Sequence, residues 1–191
     1  MSEATVKVHE LALVESDEVG DGTVVWAYAH IMKGAVLGRN CKVGDHAFIE
    51  SGAILGDRVT VKNNALIWHG VHIGDDVFVG PNVVFTNDLF PRAHQPSTPS
   101  DWVETHVETG VSIGANSTIR CGISIGANAM IGAGSVVVRD VRAHELVVGN
   151  PARQIGWSCY CGARLDTELA CPACDRRYEP HPGGLRELDN A

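Results

Sequence analysis

The chain has 191 residues and a formal net charge of −8, from 15 Lys and Arg against 23 Asp and Glu. That balance argues against a nucleic-acid partner, because a phosphate backbone is met by clustered basic residues. No apolar run is long enough to span a membrane and the N-terminal MSEATVKVHE lacks a secretory-signal pattern, so a cytoplasmic protein with one main domain and a small appendage is expected.

From residue 13 a large apolar residue recurs at every sixth position: Leu13, Val19, Val25, Ile31, Leu37, Val43, Ile49, Leu55, Val61, Ile67, Ile73, Val79 and Phe85. The step breaks there and resumes at Ile113, Ile119, Ile125, Ile131 and Val137. Gly often follows the aliphatic, and a small residue such as Ala29, Cys41, Ala47 or Ser117 stands two positions before it. Neither the 3.6-residue helical period nor strand alternation explains this spacing. Six residues fit a short strand plus a tight turn, and three such units close a triangular coil of eighteen. The eighteen inward positions therefore predict an all-β parallel β-helix of about six stacked coils over residues 1–156. Over roughly residues 10–155 the pattern resembles the hexapeptide-repeat acyltransferases. That resemblance implies a left-handed coil, where the usual crossover rule favours a right hand. It also implies a homotrimer binding acyl-CoA between subunits.

Residues 86–110 interrupt the repeat with three prolines, a Trp and no hexapeptide register. A long irregular excursion from a solenoid is usually functional. At eighteen residues per coil, Asn87 lies one coil from His69 and Thr86 one coil from Trp68. An imidazole beside a carboxamide beneath a protruding loop suits acyl transfer. His can accept a proton from an attacking amine, and Asn can hold the amine or the thioester oxygen. The competing reading of His69 is a solvated corner residue, one of nine His. His30 and His72 are weaker candidates, and His94 and His106 lie in the loop. Arg92, Arg120, Arg139 and Arg153 fall in the half of the chain near the break. One or two of them are expected to meet phosphates.

Past the repeat, Cys159 and Cys161, then Cys171 and Cys174, form two close pairs. Four thiolates complete a closed tetrahedral zinc site, which is structural rather than catalytic. The alternative, disulfides, does not suit a reducing compartment. A zinc-ribbon-like knuckle over 157–180 is expected, stapled because so short a segment lacks a core of its own. A flexible tail over 181–191 would follow. Cys41, at a small repeat position, reads as core.

Finer motifs narrow the resemblance. Lys62-Asn63-Asn64, the run GPNVVFTND over 80–88, Pro91-Arg92-Ala93, and Trp26 with His30 in VVWAYAHI are similar to the nucleotide-sugar 3-amino N-acetyltransferases of bacterial surface-polysaccharide biosynthesis. The resemblance implies transfer of an acetyl group from acetyl-CoA to the 3-amino group of a UDP- or dTDP-linked sugar. By the same likeness Asn87 orients the amine or the acyl group. Asp88 and Arg92, with Trp26, His30 and Asn64, belong to the sugar-nucleotide side. Gly132-Ala133-Gly134 lets pantetheine approach the backbone, Arg139 and Arg153 meet CoA phosphates, and Gly149–Arg153 matches the segment closing the CoA groove. Some members carry a Tyr-Asp pair where this chain has Trp68-His69, which leaves open a His69 base or unassisted attack by a positioned amine. Rival readings are 4-amino-sugar acetylation, a γ-type carbonic anhydrase, whose His pair would need a spacing that His69 and His72 lack, and a non-enzymatic scaffold with a zinc docking module.

Overall fold

The computed structural model describes residues 5–188, so the first four residues of the main domain and the last three of the expected tail lie outside the described residues. Two-residue strands alternate with tight turns and pair, coil on coil, into three parallel sheets. The first sheet stacks Lys7–Val8, Val24–Val25, Lys42–Val43, Thr60–Val61, Phe78–Val79, Ser112–Ile113, Met130–Ile131 and Glu145–Val148, and is closed by antiparallel Arg153–Trp157. The second runs from Leu13–Val14 through His30–Ile31, Phe48–Ile49, Leu66–Ile67, Val84–Phe85 and Thr118–Ile119 to Val136–Val137. The third holds Val36–Leu37, Ile54–Leu55, Val71–Ile73, Thr105–Val107 and Ser124–Ile125.

Register explains the six-residue step. Lys42 pairs with Thr60 and Thr60 with Phe78, eighteen residues per coil. Each aliphatic therefore sits on another of its kind. In the second sheet Ile31, Ile49, Ile67, Phe85, Ile119 and Val137 form one column, all buried. Burial of each such side chain contributes about 1.5–3 kcal/mol, which no single coil could collect alone. Cys41 lies in this core as expected. Its Sγ–H faces the Gly56 carbonyl at 3.2 Å, and burial pushes its thiol pKa up. The corners need left-handed backbone, where Gly and Asn are least strained. Between the second and third sheets Gly34, Gly52, Gly70 and Gly122 supply it; between the first and second, Asn64, Asn82 and Asn116 do. Those three carboxamides bond in a ladder, Asn64 Nδ2 to Asn82 Oδ1 at 3.1 Å and Asn82 Nδ2 to Asn116 Oδ1 at 3.0 Å.

Four sequence expectations are revised. The first sheet has eight parallel rungs, so the solenoid has about eight coils, not six. The missing rungs are the end coils, where the step slips. Val14, not Leu13, lies over Ile31, a seventeen-residue coil that leaves Leu13 53% exposed. At the other end Ile131 pairs with Val147, sixteen residues on. Third, the excursion is shorter than 86–110. Thr105–Val107 already pairs with Val71–Ile73, so the irregular stretch is 86–104. Fourth, residues 181–187 are not a loose tail. Tyr178–His181 and Gly184–Glu187 form an antiparallel hairpin whose Leu185 is buried.

The C-terminal end of the solenoid is closed around one carboxylate. Glu145 is 1% exposed and accepts from Arg139 Nη2 at 2.8 Å and from the Arg142 backbone N–H at 2.9 Å. Burial opposes its charge, but the hydrogen bonds and the two guanidiniums hold its pKa below the usual glutamate value. Its folded pKa being lowered, the stability it contributes is complete above the ordinary glutamate pKa and fades as pH falls through the lowered one. Glu145→Gln should therefore lower stability at neutral pH by on the order of 1–3 kcal/mol, discounted for the exposed arginines. The difference from wild type should shrink on acidification, as read by thermal unfolding from pH 7 to pH 3.

Candidate active site at the excursion corner

The excursion leaves the body at the corner between the second and third sheets. Leu66 pairs with Val84, so Trp68-His69 and Thr86-Asn87 leave the second sheet side by side on adjacent rungs. The neck is closed by backbone bonds: the Val103 N–H donates to the Asn87 carbonyl at 2.9 Å and the Thr105 N–H to that of Gly70 at 3.0 Å. The Asn87 side chain is half-buried and makes no hydrogen bond among the described residues, which leaves its carboxamide free for a ligand.

His69 is held in one tautomer. Its Nδ1 lies 2.7 Å from the Ser51 carbonyl, which can only accept, so Nδ1 carries the proton. When the ring is neutral, Nε2 presents a lone pair, and no hydrogen bond among the described residues engages it. The His69 backbone N–H donates to Glu50 Oε2 at 2.8 Å. Trp102, from the excursion, packs edge-on against the ring at 5.2 Å between centroids. Gly52, with φ +81°, also lies against the ring, where a Cβ would stand 2.3 Å from His69 Nδ1. The glycine therefore both makes the turn and admits the ring.

The excursion holds a cavity of about 500 Å³ lined by Asp88, Phe90, Arg92, Ser97 and Asp101, among others. Asp88 is occupied in shaping it, accepting from the Phe90 N–H at 2.8 Å and from the Ser97 hydroxyl. Pro99–Asp101 forms a short 3-10 turn closed by Thr98 and Asp101, and those hydrogen bonds lower the Asp101 pKa. Arg92 is exposed, and its guanidinium bonds the neighbouring Pro91 carbonyl at 2.9 Å.

The remaining expected site residues fall elsewhere on this chain. Trp26 and Asn64 stand at the corner between the first and second sheets. There Trp26, 51% exposed, flanks a cavity of about 390 Å³ with Lys42, Asp45 and Lys62. His30 lies on the outer face of the second sheet, 2.9 Å from Glu15. It packs on Phe48, which in turn packs on Trp68 beside His69. Gly132, Ala133 and Gly134 turn the same corner as Trp26 several coils further on; Gly134 has φ +71° and open space where a Cβ would be. The hairpin turn Gly149–Ala152 adjoins them, since the Val136 N–H donates to Gly149 and the Ala152 N–H to Val136. Arg153 is exposed beside it, whereas Arg139 is committed to Glu145. The sequence singled out neither Trp102 nor Glu50, and gave Arg120 no individual role. Arg120 is exposed and its neighbour Cys121 donates its N–H to Thr86 Oγ1, so it stands one rung from Asn87. The eighteen-residue register alone could not find it, because the excursion shifts the count: Phe85 lies over Ile119, thirty-four residues on.

The four C-terminal cysteines converge. Sγ–Sγ separations are 3.6 Å for Cys159 and Cys174, 3.5 Å for Cys161 and Cys171, and 3.7 Å for Cys174 and Cys161. A disulfide needs about 2.0 Å, whereas tetrahedral ligands about 2.3 Å from zinc lie about 3.8 Å apart. The donor set fits a structural zinc. Tyr178 Oη stands 3.2 Å from Cys159 Sγ and Arg176 Nη1 3.4 Å from Cys174 Sγ, both able to donate to thiolates. Burial pushes Cys159 up to about 12, while the Arg176 backbone and guanidinium draw Cys174 down to about 6. His144, which carried no signal in the sequence, docks this module. Its Nδ1–H donates to the Ser158 carbonyl at 2.9 Å, and its ring packs on Tyr178 at 4.8 Å.

Residues 18–51, 52–87 and 104–139 match the family described as bacterial transferase hexapeptide (six repeats), with a gap where the excursion lies. A dTDP-3-amino-3,6-dideoxy-alpha-D-galactopyranose 3-N-acetyltransferase of Aneurinibacillus thermoaerophilus is 46% identical over 98% of this chain and 97% of its own length. Among solved structures, a hexapeptide-repeat acetyltransferase of Vibrio cholerae O1 biovar eltor, in complex with acetyl coenzyme A, is 28% identical at TM-score 0.55 over 65% of this chain and 70% of its own. The acetyltransferase domain of PglB from Neisseria gonorrhoeae shares the fold at TM-score 0.55 and 23% identity; this chain covers 58% of its length with 80% of its own. Repeat, register and these matches agree: the chain belongs to the hexapeptide-repeat acyltransferases, homologous to the amino-sugar N-acetyltransferases that its loop motifs resemble.

Proposed function

We propose that this protein transfers the acetyl group of acetyl-CoA to the 3-amino group of a dTDP-linked amino sugar. The observation that carries the reading is the corner beneath the excursion, where a tautomer-fixed His69 and the unengaged carboxamide of Asn87 occupy adjacent rungs. The named activity of the 46% identical relative supports the 3-amino position and the dTDP carrier. UDP is the alternative carrier. The amine lone pair attacks the thioester carbonyl, a tetrahedral oxyanion forms, and the C–S bond breaks to release CoA. Asn87 Nδ2 donates to the developing oxyanion or holds the amine in line. His69 Nε2 takes the amine proton and returns it to the departing thiolate. Asp88 and Arg92 shape the sugar-nucleotide side of the excursion, and Arg153 and the Gly132–Gly134 turn take the CoA side. Arg120, one rung from Asn87, is a better phosphate partner than Arg139, whose guanidinium is spent on Glu145.

Two groups of expected site residues lie at different corners of one chain. Such a division suits a site completed by a neighbouring copy, and we take the active form as the homotrimer of left-handed coils that the family resemblance implies. Four reduced thiols gathered for one metal fit a zinc-loaded C-terminal module and a reducing, cytoplasmic compartment.

Asn87→Ala should lower kcat about 10²–10³-fold with the oligomer intact by light scattering; wild-type turnover would remove Asn87 from the site. His69→Asn should lower kcat with the oligomer intact, because the Nε2 acceptor held in place by the Ser51 carbonyl is lost. Unchanged turnover would assign proton loss to solvent and catalysis to positioning alone. Chelation of zinc, or Cys174→Ser, should strip amide-exchange protection from residues 158–178 while the coils over 24–137 keep theirs. Equal loss in both segments would mean that the module and solenoid fold as one unit.

A further inference from the structure

The outer face of the third sheet carries a cluster that the transfer reaction does not use. Val71–Ile73 pairs with Thr105–Val107 in parallel register, which sets His72 directly opposite His106. The two imidazoles meet edge to face with centroids 4.9 Å apart, and Glu104 Oε2 lies 3.4 Å from His106 Nε2. One ligand atom from each of His72, His106 and Glu104 falls within 4.8 Å of the others. Ligands about 2.0–2.1 Å from a tetrahedral zinc lie about 3.3 Å apart, so small χ rotations bring the three together. The backbone under both His is a hydrogen-bonded rung and need not move. Ile54 and Ser124 continue the same outward column below and above, and neither competes for a cation.

We propose that His72, Glu104 and His106 form a second metal site, distinct from the four cysteines, for a divalent late transition ion. Two neutral imidazoles and one carboxylate suit Zn²⁺, Ni²⁺ or Cu²⁺ over the harder Mg²⁺ and Ca²⁺. Three protein ligands on an open face leave a coordination position for water. Position in the chain gives the site its consequence. His72 belongs to the body, whereas Glu104 ends the excursion, directly after Trp102, which packs on His69, and Val103, which bonds Asn87. A bound ion therefore ties the return of the excursion to the solenoid and steadies the loop over the candidate active site.

The test is calorimetric titration of untagged, zinc-replete protein with Ni²⁺ at pH 7.5, paired with amide exchange of residues 88–103. Wild type should take one equivalent, and the loop should gain protection on loading. His72→Ala and His106→Ala should each lose that equivalent and that protection, while Glu104→Gln should bind more weakly. No uptake by wild type, or uptake that both His variants retain, overturns the site. Binding lost in the variants but with no change in loop exchange in wild type overturns the tether.

Discussion

Everything in this molecule rests on the stacking of like side chains along parallel, in-register rungs. A coil of eighteen residues with two-residue strands cannot bury its own aliphatics. Ile31 is dry because Ile49 lies above it, and Ile49 because Ile67 does. The corner residues follow from the same condition. A coil that must superpose on its neighbour has to turn at the same place each time, so Gly34, Gly52, Gly70 and Gly122 stand in one column and Asn64, Asn82 and Asn116 in another. Departures from the repeat are tolerated only where the next rung can still be reached, and each marks a feature: the slipped first coil, the excursion, and the end closed on Glu145.

That constraint also makes the candidate site rigid. His69 and Asn87 are neighbours because their strands are hydrogen-bonded rungs, not because a loop happens to approach. The imidazole is then held by the Ser51 carbonyl, by the Glu50 carboxylate on its backbone, by the space left by Gly52 and by the edge-to-face contact with Trp102. Preorganisation of this kind is what acyl transfer needs, since a positioned amine and a waiting donor replace solvent reorganisation. The excursion reaches this site through a few residues at its neck, Trp102 against His69 and Val103 bonded to Asn87. Metal coordination by His72, Glu104 and His106 would act there, where one carboxylate at the loop's end can be joined to the body.

The C-terminal module solves a separate problem. A solenoid ends in an uncovered coil, and exposed rungs invite pairing with other chains. Here Arg153–Trp157 adds an antiparallel strand to the first sheet, and the hairpin residue Gly184 bridges to Ala143. The small cluster of Cys159, Leu165, Tyr178 and Leu185 is too slight to hold this arrangement by apolar burial alone. Four thiols at mutual distances suited to one ion, with Tyr178 and His144 linking them to the last coil, make the module a cap.

Read by itself, the amino-acid sequence determined the parallel β-helix, the inward column from Val19 to Phe85, the pairing of His69 with Asn87 and the grouping of the four cysteines. All of these depend on a fixed local period or on close spacing. The period could not count the end coils, because Val14 replaces Leu13 by a one-residue slip that only pairing reveals. Nor could it place the return of the excursion at Thr105. A sixteen-residue insertion carries no register of its own, and His106 meets His72 only once the sheet has closed around it. The tertiary structure likewise decided that Arg139 serves Glu145 and that Arg120 stands beside Asn87. A guanidinium's partner is set by which rungs become neighbours, and across an interrupted repeat that is a property of the fold.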